Sequence, residues 1–557
     1  MSHRTWMRLT ALLAVLALVV TACGTDDEPE DDAGADPGTE EPADDDGDGD
    51  DATDDDAEPA AGGDLIVGTT DTVVSIDPAK AYDYASSNIL FNVGETLVGF
   101  PPGEVEPAPL LAESFEVSDD GLEYTFTLRS GVTFSNGKEL TSEDVKFSLE
   151  RARDMNHPAG AGWLLLGIAS IDTPDDLTAV VTLDAPNSTF IPRLAYTVAT
   201  ILPSDGTYPA PSDVVDEEDP EALEAAAEEF VSEDLVGTGP YVVADFREGE
   251  SVTLEANPNY WGEAPANDRV LVRYFETSSQ MKLALESGEI DVAHRDFSPD
   301  EHADLEGNAD VQAVVGEGGR TRYIVLNPFH DEVSDVNVRR AIAAAIDRDR
   351  INEDVFSGSV EPLYSMIPPG YPESQPYFQE YDDQEPGDFI DETVSFNLHY
   401  GGERYGPWEP SLVQVIERSL EETGLFEVEL VSTEWAQFTE EAWPGEDGQY
   451  PVFMLGWNPD YIDPDTYIEP FYHVDGFTGS MYANPDMDAL VEAEQAELDD
   501  AARTDIFDEI QRLAADDVVN IPLFQETPYV YAQPNISGLE QTMDETLIFR
   551  YWVISKG

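Results

Sequence analysis

A tryptophan, an aspartate and a tyrosine lie close together in the sequence at Trp457, Asp460 and Tyr461. An indole and a phenol can stack on an organic molecule, and a carboxylate can hold a positive group on it. The residues before them, 450–455, form a continuous apolar run that predicts a buried strand. The strand must end within residues 456–465, because this stretch contains prolines, which cannot donate a backbone hydrogen bond to a sheet. From its composition alone, the stretch is either a ligand-binding loop or an acidic surface loop.

No arrangement of residues in the sequence supports catalysis or a metal centre. The seven histidines form no pair with metal-ligand spacing, and a single cysteine rules out the zinc patterns that need several thiolates. The sequence contains neither a G-x-S-x-G nucleophile motif nor a phosphate-binding P-loop. Asp460, Asp463 and Asp465 lack the glycine and the distal glutamate of an EF-hand calcium loop. We therefore expect no catalytic residue, no metal and no cofactor.

The N-terminal residues are typical of an exported lipoprotein. Arg4 and Arg8 precede a mostly apolar stretch, residues 9–20, that is shorter than the roughly 20 residues of a membrane-spanning helix. The small residues before Cys23 resemble a lipobox, in which the cysteine is acylated and becomes the mature N-terminus. Cys23 is the only cysteine, so no internal disulfide can form. We predict a signal peptide at residues 1–23 and a lipid anchor at Cys23 on the outer face of the cytoplasmic membrane; the alternative is an ordinary secretory signal.

Acidic residues dominate the composition, with 118 Asp and Glu against 26 Lys and Arg, and a net charge of −92. Residues 24–62 contain no Lys or Arg and, besides acids, mostly Ala, Gly, Pro and Thr, with almost nothing to bury, which predicts a disordered, extended tether. Residues 209–234 are rich in Ala, Asp and Glu and predict an exposed acidic helix without a binding role. Nucleic acid is excluded as a partner because the basic footprint is missing. Acid spread over the whole chain is typical of a protein exposed to high salt, which screens self-repulsion.

Hydrophobic periodicity predicts alternating strands and helices. Residues 63–68 and 122–129 have the patterns of strands, the second with a clean alternation of apolar and polar positions. Residues 83–97 have apolar positions at near-helical spacing. Thr141 and Asp335 each precede an apolar helical face and are expected to cap the helices that follow.

Several stretches closely resemble one family of receptors. The sequence LAESFEVSDDGLEYTFTLRSGVTF at residues 111–134 resembles the signature of the extracellular solute-binding protein family 5. These proteins are the oligopeptide, dipeptide and nickel receptors of ABC importers. The resemblance continues in the family's order at VGTGPY (236–241), NPNYWG (257–262), LALESGEIDVA (283–293), and residues 335–350, 416–425, 456–461 and 510–524.

The resemblance implies an α/β, two-lobed fold of the periplasmic-binding-protein type, in the type II class and its large form with an extra subdomain in lobe I. The hinge would consist of two crossover strands near residues 323–327 and 521–524. The implied domains are lobe I at 63–85, 196–325 and 521–557, its inserted subdomain at 86–195, and lobe II at 326–520.

The resemblance also implies which residues bind the ligand. In peptide-binding relatives an acidic residue in the matching loop accepts the α-ammonium of the peptide, and Asp460 stands at that position. Pro459 departs from the small residue that relatives often have before this acid, and it stiffens the loop. Trp457 and Tyr461 would be stacking walls, and Trp435 lies in a segment that resembles one that contributes a tryptophan to the cleft. For the remaining candidates packing or turn roles stay equally open: Tyr323, Asn327, Asp83 and Tyr84.

The leading functional hypothesis is a monomeric, lipid-anchored receptor. It would capture a small solute between two closing lobes and deliver it to an ABC permease in the membrane. A short peptide is the leading candidate for this solute. The alternative ligands are a nickel chelate, an opine and an oligosaccharide. A signalling or adhesion lipoprotein of the same fold stays open as a function without transport, whereas an exported enzyme would need a nucleophile or metal that the sequence lacks.

Overall fold

The computed structural model describes residues 63–157, 159–209, 235–442 and 448–557. The predicted signal peptide, the predicted tether and all but the first residue of the predicted acidic helix at 209–234 lie outside this part of the chain. Within it, no helix combines the length and the apolar composition of a membrane span.

Strands and helices are interspersed along the described chain, with runs of two to four strands. The strands are β1 (Asp64–Thr69), β2 (Val98–Gly99), β3 (Ala108–Pro109), β4 (Ala112–Val117), β5 (Glu123–Leu128), β6 (Ile168–Asp175), β7 (Thr178–Leu183), β8 (Tyr241–Arg247), β9 (Ser251–Ala256), β10 (Arg269–Tyr274), β11 (Val292–His294), β12 (Gln312–Val315), β13 (Thr321–Leu326), β14 (Val360–Pro362), β15 (Val394–Tyr400), β16 (Phe426–Ser432), β17 (Val452–Trp457), β18 (Asn520–Glu526), β19 (Tyr529–Ala532), β20 (Ile536–Ser537) and β21 (Ser555–Lys556). The α-helices are α1 (Tyr84–Val93), α2 (Ser142–Met155), α3 (Phe190–Arg193), α4 (Ser278–Glu286), α5 (Pro299–Glu306), α6 (Val336–Ala345), α7 (Arg348–Phe356), α8 (Glu409–Glu421), α9 (Trp435–Ala442), α10 (Glu469–Tyr472), α11 (Pro485–Ala496) and α12 (Asp500–Asp517).

A seven-stranded mixed sheet forms the first lobe, in the order β12-β19-β11-β1-β10-β9-β8. Strand β1 lies inside the sheet and pairs in parallel with both β10 and β11. Helix α1 packs against this sheet through Ile89, Leu90 and Val93. Its packing groups α1 with the first lobe, although the sequence predicts that the inserted subdomain starts at residue 86.

The inserted subdomain is a four-stranded antiparallel sheet, in the order β4-β5-β7-β6, covered by α2. The alternation that predicts β5 is seen directly, because Tyr124, Phe126 and Leu128 point into the subdomain's own core. Helix α2 begins with a capping box in which Thr141 and Asp144 each accept a hydrogen bond from the other's backbone. Sequence therefore determines both the strand's buried face and the start of the helix.

A six-stranded mixed sheet forms the second lobe, in the order β14-β18-β13-β17-β15-β16. Both of its faces are covered. On β13, Ile324 and Leu326 pack into one core, whereas Tyr323 and Val325 pack into the other. Asp335 caps α6 as predicted, but the helix ends at Ala345 and α7 starts separately.

Two short connections join the sheets of the two lobes and form the hinge. One, residues 316–320, links β12 to β13, and the other, residues 527–528, links β18 to β19. The two connections run side by side, because backbone hydrogen bonds join Gly316 to Pro528 and Arg320 to Glu526 at the end of β18. The segments predicted as crossovers, 323–327 and 521–524, lie largely in β13 and β18 inside the second lobe, because their apolar side chains fill its cores.

Candidate ligand-binding cleft

A cavity of about 430 Å³ lies between the two lobes. This volume is within the ~300–1,000 Å³ range of sites for small organic ligands. The first lobe contributes the loop after β1 and the start of α1, and the second contributes the segment after β15, the start of α9 and the loop after β17. Of the eight predicted ligand-binding residues, the lining includes Asp460, Trp457, Tyr461, Trp435, Tyr84 and Asp83.

Asp460 lies in the loop after β17 and faces the first lobe. Its Oδ2 atom accepts a hydrogen bond from the hydroxyl of Tyr82 over 3.0 Å, and its backbone N–H donates to Thr466 Oγ1 over 3.2 Å. Burial, helped by the charge of Glu469, raises the pKa of Asp460 to about 7, although the hydrogen bond from Tyr82 and the charge of Arg193 oppose this shift. No Lys or Arg of the described residues forms an ion pair with this carboxyl.

Two aromatic residues close to this acid in the sequence, Trp457 and Tyr461, line the same cavity. Trp457 is the last residue of β17 and packs edge-on against Phe471, with ring centroids 5.1 Å apart. Tyr461 is 2% exposed, and its hydroxyl donates to Asp465 Oδ2 over 2.7 Å. Both rings are therefore fixed by packing where they line the cavity.

Trp435 begins α9 and lines the cavity from a different segment of the second lobe. It stacks on Phe438, with centroids 5.5 Å apart and planes within 14°, and meets Tyr405 edge-on. The guanidinium carbon of Arg404 lies 5.2 Å from the centre of the Trp435 ring. Arg404 is exposed, and none of the described residues provides a carboxylate partner for it.

Asp83 and Tyr84 contribute the first lobe's wall at the start of α1. Asp83 is the N-cap of the helix and accepts a hydrogen bond from the backbone N–H of Ser86 over 2.9 Å. The ring of Tyr84 lies under the guanidinium of Arg295, whose carbon is 3.9 Å from the ring centre. Arg295 pairs with Asp71 over 3.0 Å, so this cation is already neutralised.

The structure does not bring Tyr323 and Asn327 into the cavity. Tyr323 is 1% exposed because the alternation of β13 points it into a core, edge-on to Phe471 at 5.1 Å. Asn327 is completely buried after the end of β13, and its side-chain oxygen accepts a hydrogen bond from the backbone N–H of Phe329. Both residues pack inside the second lobe behind the cleft.

Three residues of the cleft region were missed by the sequence analysis. Tyr82 and Arg404 line the cavity, and Arg193 reaches the loop after β17 from the inserted subdomain. One signal for the two arginines was available in the sequence, because each arginine is conspicuous in a chain with only 26 basic residues.

A second, smaller cavity of about 120 Å³ adjoins the hinge. His294 lines this cavity, and burial lowers the pKa of this histidine to about 3.

Comparisons with known proteins agree with this architecture. The family model of the bacterial extracellular solute-binding proteins, family 5 middle, matches residues 106–479. A dipeptide-binding protein of Pseudomonas aeruginosa is 25% identical over 520 residues, which cover 86% of this chain and 93% of that protein. The periplasmic binding protein DppA of Helicobacter pylori, in complex with the peptide STSA, superposes with a TM-score of 0.73 at 25% identity, covering 89% of this chain and 98% of that chain. NikA of Brucella suis in complex with Fe(III)-EDTA superposes with a TM-score of 0.74 at 20% identity, covering 89% and 100%.

The matches extend over both lobes and confirm the predicted two-lobed α/β fold and the predicted family. Members of this family are binding proteins for transport and not enzymes, which confirms that prediction as well. The chain belongs to family 5 of the bacterial extracellular solute-binding proteins.

Proposed function

We propose that this protein captures a short peptide between its two lobes and delivers it to an ABC permease. The observation that carries the proposal is that one cavity holds an acid and an arginine that form no ion pair within the described chain, Asp460 and Arg404. The α-ammonium and α-carboxylate of a peptide are complementary to this pair of charges. The peptide-binding relatives support the same class of ligand.

Each lining residue has a role in this proposal. Asp460 accepts the ammonium and Arg404 binds the carboxylate. The aromatic rings provide contact area at a low cost in conformational entropy. The proposed walls are Trp457, Tyr461, Trp435 and Tyr84, with Asp83 as a second acid at the first lobe.

The cellular setting of the proposal depends on the N-terminal segment. A lipid anchor at Cys23 would hold a monomer at the outer face of the cytoplasmic membrane, with residues 24–62 as the tether and an acidic surface suited to high salt. The variant Cys23→Ser should then appear in the medium or the soluble periplasmic fraction. Retention of this variant in the membrane fraction would contradict the anchor.

Thermal unfolding of the purified protein with a dipeptide library tests the ligand class. A ligand at 100 times its Kd stabilises the folded state by about 2.7 kcal/mol, which is a readily measured shift. A nickel chelate, an opine and an oligosaccharide are the controls. A response to one of these controls with none to any peptide would overturn the peptide assignment.

A further inference from the structure

The inserted subdomain places one guanidinium against the ligand loop of the second lobe. Arg193 is the last residue of α3 and is 8% exposed. Its Nη2 atom donates to Asp465 Oδ2 over 3.0 Å and to the hydroxyl of Tyr461 over 3.2 Å. The guanidinium carbon also lies 5.2 Å from the centre of the Tyr461 ring. This contact therefore joins two separate parts of the fold directly behind the cleft.

Three acids of the second lobe lie together here: Asp463, Asp465 and Glu494. The second lobe does not neutralise all of their charge by itself. Its own Arg503, on α12, pairs with Asp463 over 2.7 Å and with Glu494 over 2.9 Å. Asp465, which is completely buried, has Arg193 as its ion-pair partner in the described chain. A buried carboxylate without a cation is costly, so this part of the loop depends on an arginine from the other lobe.

The same acid organises a second contact across this interface. The backbone N–H of Ser188, in the inserted subdomain, donates to the backbone oxygen of Gln495 over 2.8 Å. The side chain of Gln495 in turn donates to Asp465 over 3.2 Å. The subdomain is thus attached to the second lobe around Asp465 by both a side chain and the backbone.

Asp465 is connected to Asp460 through the loop itself. The backbone N–H of Asp460 donates to the hydroxyl of Thr466, the residue after Asp465, and Tyr461 links its hydroxyl to Asp465. Burial raises the pKa of Asp460, whereas the positive charge of Arg193 opposes this shift and favours the carboxylate. The titratable and charged groups that face Asp460 from both lobes are Arg193, Glu469, Tyr82, Tyr196 and Tyr467.

We infer that Arg193 is a positioning residue for the ammonium subsite. Through Tyr461 and Asp465 it holds the loop after β17 in the arrangement that presents Asp460, and it does so only while the inserted subdomain contacts the second lobe. Formation of the subsite is thereby tied to closure at this interface. The inference rests on the proposed function and assigns to the inserted subdomain a part in ligand binding.

The first test is hydrogen exchange of the ligand-free full chain, which needs no ligand. In Arg193→Gln, backbone amides of residues 456–466 and 186–196 should exchange about tenfold faster or more, because both sides of the contact are released. The matched control is Arg503→Gln, which removes a guanidinium that contacts the same group of acids from within the second lobe. This variant should leave the exchange rates of residues 186–196 unchanged. Unchanged exchange of both segments in Arg193→Gln would overturn the inference.

The second test is the affinity for alanyl-alanine between pH 5 and 7.5. In Arg193→Gln, the affinity should fall about tenfold or more at pH 7. The pH range over which the affinity rises should also lie higher than in the wild type, since the charge that favours ionised Asp460 is gone. Arg193→Lys, which keeps the charge, should recover the position of the rise, and Arg193→Met, which removes the charge, carries both tests if Arg193→Gln does not fold. An equal loss at every pH, matching that of Arg503→Gln, would reduce Arg193 to a structural role and overturn the inference. If the wild-type protein binds no peptide, the proposed function fails, while hydrogen exchange still decides the role of Arg193.

Discussion

The hydroxyl of Tyr82 donates a hydrogen bond to Asp460 Oδ2 over 3.0 Å, although the two residues are 378 positions apart in the chain. Tyr82 lies in the loop between β1 and α1 of the first lobe, and Asp460 lies in the loop after β17 of the second. The bond therefore crosses the cleft. A ligand ammonium would approach the same carboxylate, so closure of the lobes and ligand binding involve one acceptor.

The variant Asp460→Asn is expected to weaken binding of a free-amine dipeptide far more than binding of its N-acetylated form. The amide keeps the size of the side chain but loses the charge-assisted hydrogen bond, worth about 1.5–3 kcal/mol. Calorimetric titration of alanyl-alanine and N-acetyl-alanyl-alanine measures the difference. Arg350→Gln, at a surface pair of the second lobe, is the control that should change neither affinity. Equal losses for the two ligands would mean that Asp460 does not bind the ammonium.

The affinity for alanyl-alanine should depend on pH with a maximum between about 7 and 8. In the ligand-free protein burial raises the pKa of Asp460 to about 7, so at lower pH a proton must leave before an ammonium can bind. Affinity should therefore rise by up to about tenfold per pH unit from pH 5 to 7. Above about pH 8 it should fall, because the peptide's own amine loses its proton.

Proton release accompanies this binding and can be measured independently. Calorimetry of the same titration at pH 6.5, in buffers of different ionisation enthalpy, should show protons leaving the protein. The N-acetylated dipeptide should release none. A pH profile that is flat from 5 to 7 would contradict ionisation of Asp460 on binding.

Arg404→Gln should discriminate between peptides with a free carboxylate and the same peptides as C-terminal amides. The guanidinium is exposed and lies over Trp435, so its contribution is expected near the lower end of charge-assisted hydrogen bonds, about tenfold in Kd. The control is Arg295→Gln, whose guanidinium already pairs with Asp71. If the Arg404 variant binds both forms as the wild type does, another group holds the carboxylate.

Local patterns predicted much of the fold. The alternation at β5 and the caps at Thr141 and Asp335 rely on neighbours within a few positions, and the structure has them as expected. The hinge is different, because apolar residues near 323–327 are equally suited to a connection and to a central strand. Only pairing with β17 and β18 decides between the two.

Six of the eight residues named from the sequence line the cavity, and three of them, Trp457, Asp460 and Tyr461, belong to one continuous stretch. Trp457 ends β17 and Asp460 follows in the next loop, whereas Tyr82 and Arg404 reach the cavity from distant segments and Arg193 contacts Tyr461 from the inserted subdomain. Asp465 shows why contacts between distant segments could not be predicted from the sequence. Nothing in its local sequence indicates a partner, yet burial with Arg193 makes Asp465 part of an interface between two parts of the fold.

The buried pair of Asp77 and Arg151 should be decisive for stability. Both side chains of the pair are at most 1% exposed, and two hydrogen bonds of 2.8 and 2.7 Å join the loop after β1 to α2 of the inserted subdomain. Asp77→Ala leaves the guanidinium without this partner in the interior, and breaking a buried pair costs about 3–5 kcal/mol of unfolding free energy. Chemical denaturation measures the loss, and Arg350→Gln, which breaks the exposed pair with Glu422, should cost less than about 1 kcal/mol. Similar small losses in both variants would show that the interior accommodates the arginine without Asp77.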